Sequence, residues 1–132
     1  MTETTLASRA GYLIEMAGRA PSVHNTQPWR FEVGEQAIEL YADTSRQLLE
    51  DPAGREMLIS CGAALYGLRL GIRSLGYLAE AELFSGSALL ARVHRGLPAP
   101  MTSDERMMLQ AVPHRHTHRG PRSEERRVGK EC

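Results

Sequence analysis

Apolar residues recur at helical spacing near the start of the chain. Leu6, Ala10, Leu13, Ile14 and Ala17 share one face and predict an amphipathic helix over residues 5–18, ending at Gly18. Pro21 forbids its continuation. The pattern then shifts to short apolar runs, and Trp29–Val33 and Ala37–Ala42 read as strands joined through Gly34-Glu35-Gln36 as a hairpin. A long helix is predicted over 52–75, with Asp51 placed to cap it and Pro52 suited to the first helical position, where a missing N–H costs nothing. Along it Leu58, Cys61, Leu65, Leu68, Ile72 and Leu75 alternate steps of three and four. A second face carries Ser60, Ala63, Ala64, Gly67 and Gly71, small enough for another helix backbone to approach closely. Burying both faces needs partners on two sides. The sequence offers few, so part of the covering surface is expected from elsewhere. Gly76 is placed to end this helix. Residues 77–84 and 88–94 predict two more strands around Ser85-Gly86-Ser87. A short helix capped by Ser103 comes next, with Asp104 and Glu105 near its positive end. Helices alternating with short strands give an α+β class.

Composition narrows the function classes. The chain has 132 residues, 42% of them hydrophobic and 24% charged, which is enough for the core of one modest domain. A formal net charge of zero gives no footing for nucleic acid or an anionic membrane. No apolar run approaches a membrane span, and the polar start is not a signal peptide. Two cysteines are too few for a disulfide framework, which favours a cytoplasmic setting. One break stands out: the only lysine is Lys130, and all earlier basic residues are arginine. The run from Arg122 to Cys132 resembles translated sequencing-adapter DNA; the alternative is a genuine solvated tail. On the first reading residues 1–121 are the front of a longer protein, residues 122–132 are non-native, and Cys61 is its only native thiol.

Chemistry concentrates in Ala20-Pro21-Ser22-Val23-His24-Asn25-Thr26-Gln27-Pro28-Trp29. Two prolines bias the stretch toward extended backbone and display its polar side chains on a stiff loop. Asn25 and Gln27 each carry a donor and an acceptor, matching a heterocycle edge with alternating C=O and N–H groups. The alternative is a loop that satisfies its own backbone with Trp29 as a core anchor. His24 reads as a loop histidine rather than a base.

A second constellation, His114-Arg115-His116-Thr117-His118-Arg119, alternates two chemistries. His114, His116 and His118 could hold a divalent metal, but no carboxylates are placed to orient them. Arg115, Thr117 and Arg119 instead form two forked cations around a hydroxyl, suited to a phosphate monoester. A solvated basic loop is the alternative.

The first loop resembles the flavin-reading loop of the nitroreductase family, whose pattern Pro-Ser-x-x-Asn-x-Gln-Pro-Trp is matched by Pro21, Ser22, Asn25, Gln27, Pro28 and Trp29. Arg115, Thr117 and Arg119 resemble the family's Arg-x-Ser-x-Arg phosphate pattern, with threonine for serine. That pattern normally precedes the Pro-Ser loop; here it follows, a layout similar to the Acg-like subset, which fuses two nitroreductase-like halves as a pseudo-dimer. The resemblance implies the N-terminal half of a nitroreductase-like fold, with a long central helix on a small, mainly antiparallel sheet. Residues 1–112 would be the first half and 113–121 the start of the second; the other possibility is a homodimer. It implies one FMN held by Pro21, Ser22, Asn25 and Gln27 at its ring and by Arg115, Thr117 and Arg119 at its phosphate. The activity implied is electron transfer from NAD(P)H through flavin to a nitro-compound, quinone or similar small-molecule acceptor. The alternative is a protein that holds and sequesters FMN without turnover. No residue stands out as catalytic, no metal is expected, and the chain alone is expected to be inactive.

Overall fold

The computed structural model describes residues 5–20, 22, 26–85 and 87–112. The first predicted helix divides: a 3-10 turn over Ala7–Arg9 precedes helix α1, Ala10–Gly18. Thr5 and Ser8 cross-bond their backbone amides and hydroxyls at this entry, the Ser8 N–H reaching Thr5 Oγ1 at 3.1 Å, which favours the tighter opening turn. Leu6, Leu13 and Ala17 are buried as their spacing requires, whereas Ile14 lies at the rim.

Strands β1 (Trp29–Val33) and β2 (Ala37–Ala42) have the predicted bounds and pair antiparallel, Trp29 opposite Ala42 and Val33 opposite Ile38. Strands β3 (Tyr77–Leu83) and β4 (Leu89–Pro98) complete one antiparallel sheet in the order β1-β2-β4-β3. β4 runs four residues past the predicted end at 94, because pairing with β3 continues at Arg95 opposite Ala79 and, across a register shift, at Pro98 opposite Tyr77. One sheet face is charged: Glu39 lies across from Arg92, which lies across from Glu82, and Arg92 Nη2 sits 2.8 Å from Glu39 Oε2. The Arg92 hydrogen bond holds the Glu39 carboxyl below its ordinary range. The other face carries Ile38, Leu40, Ala91 and Val93, all buried, against the central helix.

That helix, α2, spans Arg55–Ser74 and so starts three residues later than predicted. Pro52 lies in a turn before it, and Gly54 takes the cap position at φ 73°, a left-handed conformation that glycine tolerates. Asp51 still caps the helix from further back. Its carboxylate accepts the N–H groups of Glu56 (3.3 Å) and Met57 (3.0 Å), near the positive end of the helix. Gly76, at φ 95°, ends it, with its N–H on the Arg73 carbonyl at 2.9 Å.

The scarcity of partners expected from sequence is corrected here. The chain supplies cover for both faces: the sheet meets Cys61, Leu68 and Ile72, and α1 lies along Ala64, Gly67 and Gly71. A Cβ at Gly67 would stand 2.8 Å from the Met16 carbonyl oxygen, so the small-residue face admits another helix backbone as predicted. Leu58 departs from its stripe and is half-exposed. Helix α3, Ser103–Ala111, is capped by Thr102 rather than Ser103. Thr102 and Glu105 form a capping box, the Glu105 N–H on Thr102 Oγ1 at 3.1 Å and the Thr102 N–H on Glu105 Oε1 at 2.8 Å.

Candidate functional site

The loop entering β1 is fastened to three elements. Pro28 is fully buried, and its carbonyl accepts the Asp43 N–H at 2.9 Å and the Cys61 thiol at 3.3 Å. Arg46 donates to the Thr26 carbonyl at 3.1 Å and pairs with Asp43 at 3.5 Å. Asp43 itself caps the short 3-10 turn Thr44–Arg46 through Ser45, and the Ser45 hydroxyl is the main reason its carboxyl sits below the ordinary range. Cys61 thus serves as a buried donor on α2. Burial pushes its thiol up to about 11, consistent with the inert core role expected of it.

Of the predicted site residues, Ser22 and Gln27 are described; Pro21, Asn25, Arg115, Thr117 and Arg119 lie outside the described residues, as do His24 and the histidines 114, 116 and 118. Ser22 is buried and its Oγ accepts the Gln27 N–H at 3.1 Å, closing the loop across five residues. Its hydroxyl therefore braces the loop. Gln27 is the one described non-glycine residue with positive φ, at 48°, and its side chain is exposed. Left-handed backbone at a non-glycine costs on the order of 1–3 kcal/mol and persists where the surroundings enforce it. Here Ser22 and the buried Pro28 enforce it. Between them Thr26 Oγ1 is buried with no hydrogen-bond partner among the described residues. A buried hydroxyl left in this way calls for a partner, which an ordered water, an ion or a ligand can supply.

Directly before this loop, a groove of about 360 Å³ opens between the three helices. Met16, Arg19 and Ala20 form one wall, Tyr66 and Gly67 the floor, and Met108 of α3 the opposite wall. The walls are almost wholly apolar, and Ala20, just past the end of α1, is among the lining residues. Ser22, Thr26 and Gln27 are not among the groove's lining residues. Among the described residues no group of three His, Cys, Asp or Glu could hold a metal ion, and no helix is long and apolar enough to cross a membrane.

The fold is that of the nitroreductases. It matches a crystal structure of a "Putative NADH dehydrogenase/NAD(P)H nitroreductase" from Parabacteroides distasonis at TM-score 0.58 and 18% identity, covering 86% of each chain. A nitroreductase family protein from Clostridium novyi matches at TM-score 0.52 and 19% identity, over 69% of this chain and 73% of that one. In sequence the chain is 36% identical over 110 residues to the Mycobacterium tuberculosis protein named "Putative NAD(P)H nitroreductase Rv3131", covering 81% of this chain and 32% of that protein. It is 34% identical over 115 residues to "Putative NAD(P)H nitroreductase acg" of the same organism, covering 84% and 35%. The chain thus has the nitroreductase fold and is similar in sequence to these two mycobacterial proteins named as nitroreductases. It spans about a third of the length of these relatives. No protein-family model matches it.

Sequence reasoning missed Asp43 and Arg46 as braces of the loop, since both lie well beyond the motif in the chain. It also missed the unpaired hydroxyl of Thr26, which no spacing rule singles out.

Proposed function

We propose that the chain belongs to an FMN-dependent oxidoreductase that passes electrons from NAD(P)H to a nitro-compound, quinone or similar acceptor. The observation that carries this is the strained, multiply braced loop around Gln27, whose neighbour Thr26 keeps a buried hydroxyl with no partner among the described residues. Gln27 and Asn25 would read the polar edge of the isoalloxazine, and Pro21 and Ser22 would lie against it. Arg115, Thr117 and Arg119 would hold the phosphate. When bound, flavin supplies hydride acceptance and onward electron transfer. The protein's part is to keep the ring in an apolar cleft with its polar edge on fixed donors, where hydrogen bonds to developing negative charge are strongest.

Residues 1–112 form a first nitroreductase-like half in this reading, and residues from 113 open a second that completes the cleft, with residues 122–132 foreign to both. The 132-residue chain alone would then be inactive or nearly so. The test uses the protein with its full reading frame restored beyond residue 121. It should purify yellow, bleach with NADPH and recolour on adding a quinone or nitroaromatic. A yellow protein that does not bleach supports flavin sequestration instead. A colourless protein that stays so in excess FMN ends the flavin reading.

A further inference from the structure

The left-handed backbone of Gln27 depends on one peptide unit, the plane that joins it to Thr26. That plane is rigid and trans, so its carbonyl and its N–H point to opposite sides. Both ends are held. The Thr26 carbonyl accepts from Arg46 Nη1 at 3.1 Å, and the Gln27 N–H donates to Ser22 Oγ at 3.1 Å. Turning the plane over would exchange its two ends with little displacement of the flanking chain, and would carry Gln27 away from φ 48°. It would also break both bonds at once. The next link is fixed separately, because the Pro28 carbonyl is held by the Asp43 N–H and the Cys61 thiol.

The two grips come from different places. Ser22 belongs to the loop itself and is buried. Arg46 reaches in from the turn after β2, with more than half of its side chain in water. Asp43 aims it: the Asp43 carboxylate lies 3.5 Å from Arg46 Nε, and the Asp43 carbonyl accepts the Arg46 N–H at 3.0 Å. A guanidinium that meets a carboxylate on one side and a carbonyl on another is a fixed fork. Arg46 lies outside the buried core, so its contribution is local. We propose that Arg46 is a positioning residue: by holding the Thr26 carbonyl it keeps the peptide from turning over, and so fixes the direction in which Gln27 offers its exposed carboxamide to the flavin ring. This rests on the FMN reading above. The same bond holds Thr26, whose buried hydroxyl has no partner among the described residues.

Two measurements separate the clamp from its consequence. The first needs no cofactor: amide hydrogen exchange in the 132-residue chain and its Arg46→Ala variant, followed residue by residue by NMR. Losing Arg46 should speed exchange at the Gln27 N–H about tenfold or more, because that N–H faces Ser22 only in the clamped orientation. Exchange along β4 should stay unchanged. The second is the reduction potential of FMN in the protein with its reading frame restored. Hydrogen bonds at the ring edge strengthen as negative charge builds there. A displaced Gln27 should therefore favour the reduced flavin about tenfold less, a fall of about 30 mV for two electrons. In a Gln27→Gly background, which accepts the left-handed backbone and has no carboxamide to misplace, Arg46→Ala should cause no such fall. A fall that persists there would be the direct loss of a positive charge and would overturn the proposal. So would unchanged exchange at Gln27, or exchange that rises along β4 as well, which would make Arg46 a general support of the fold. Fast exchange at Gln27 with an unmoved potential would overturn it too. A restored protein that takes up no FMN removes the flavin reading and this inference with it; a clamp still seen in the free chain would mark that as failure of the reading rather than of the clamp.

Discussion

The central helix meets its two helical neighbours by opposite physics. Against α1 it presents glycine and alanine, and the contact is backbone on backbone: Met16 O and Ala17 Cα lie within van der Waals reach of Gly67. Against α3 it presents one buried arginine, Arg73, which forks onto Glu105 and donates to the carbonyls of Tyr77, Ala99 and Pro100. The first junction is spread over several small residues and is insensitive to charge. The second is concentrated in a single side chain and depends on its ionic partner. A junction of the first kind holds a scaffold rigid, whereas one of the second kind can be loosened without disturbing the core.

Substitutions should separate the two. Gly67→Leu places a branched side chain where the Met16 carbonyl already stands, so α1 must move as a unit. Overpacking against backbone should cost about 3 kcal/mol in denaturant unfolding. Gly71→Ala is the control: its added Cβ would meet the flexible end of Leu13 at 2.9 Å, and the helix-propensity gain offsets the crowding to within about 1 kcal/mol. A Gly67→Leu chain as stable as the parent would mean that α1 does not sit in the groove of small residues.

Arg73→Met should cost about 2 kcal/mol. Breaking a fully buried pair costs about 3–5 kcal/mol, but Glu105 keeps 29% of its side-chain surface in water and can resolvate. The loss should appear as proteolytic cleavage around residues 99–112 before the core unfolds, because α3 contributes no buried residue to that core. A single cooperative unfolding step, with no early cleavage there, would contradict the idea of a separately held helix.

Acid should act on the same junction. The Arg73 hydrogen bond, followed by the Thr102 amide, holds the Glu105 carboxyl below its ordinary value of 4.5. A carboxylate depressed on folding contributes stability that is fully present above the unfolded value and is lost as pH falls through the folded one. Release of α3 should therefore begin below pH 4.5, and Glu105→Gln should abolish that step while leaving the α1–α2 junction unchanged. Protease protection of residues 99–112 that is flat from pH 6 to 3 would sink this expectation.

The same contrast explains what could be read from sequence. The α1–α2 junction was legible because it is periodic: small residues on one face of α2 and large ones on the other state their roles by spacing. Strands β1 and β2 were legible to the residue because Pro28 and Gly34 bound the first, and Gly34-Glu35-Gln36 and Asp43-Thr44-Ser45 bound the second. The start of α2 was not, since Asp51 caps it from four residues before Arg55, across a turn whose geometry depends on Gly54 in the left-handed region. Arg73 was also hidden. It lies among Arg55 and Arg69 on one helix, and nothing local distinguishes a cation that will be buried from those that face water. In the candidate site the motif was visible as a string. Its support was not, because Cys61, Asp43 and Arg46 reach the loop only through tertiary contact.

The smallest effect concerns Thr102. Its pattern with Glu105, threonine followed three residues later by glutamate, is present in the sequence, yet Ser103 is the more obvious cap beside an acidic first turn. Because Thr102 Oγ1 takes the Glu105 N–H, Thr102→Ala should cost about 1 kcal/mol, whereas Ser103→Ala should cost almost nothing. The two costs also probe how α3 is held. If the capping box and the Arg73 fork act through one Glu105 conformation, Thr102→Ala and Arg73→Met should be less than additive in a double-mutant cycle. Strict additivity would mean that the cap and the fork hold α3 independently, and that either one alone is enough to keep the helix on α2.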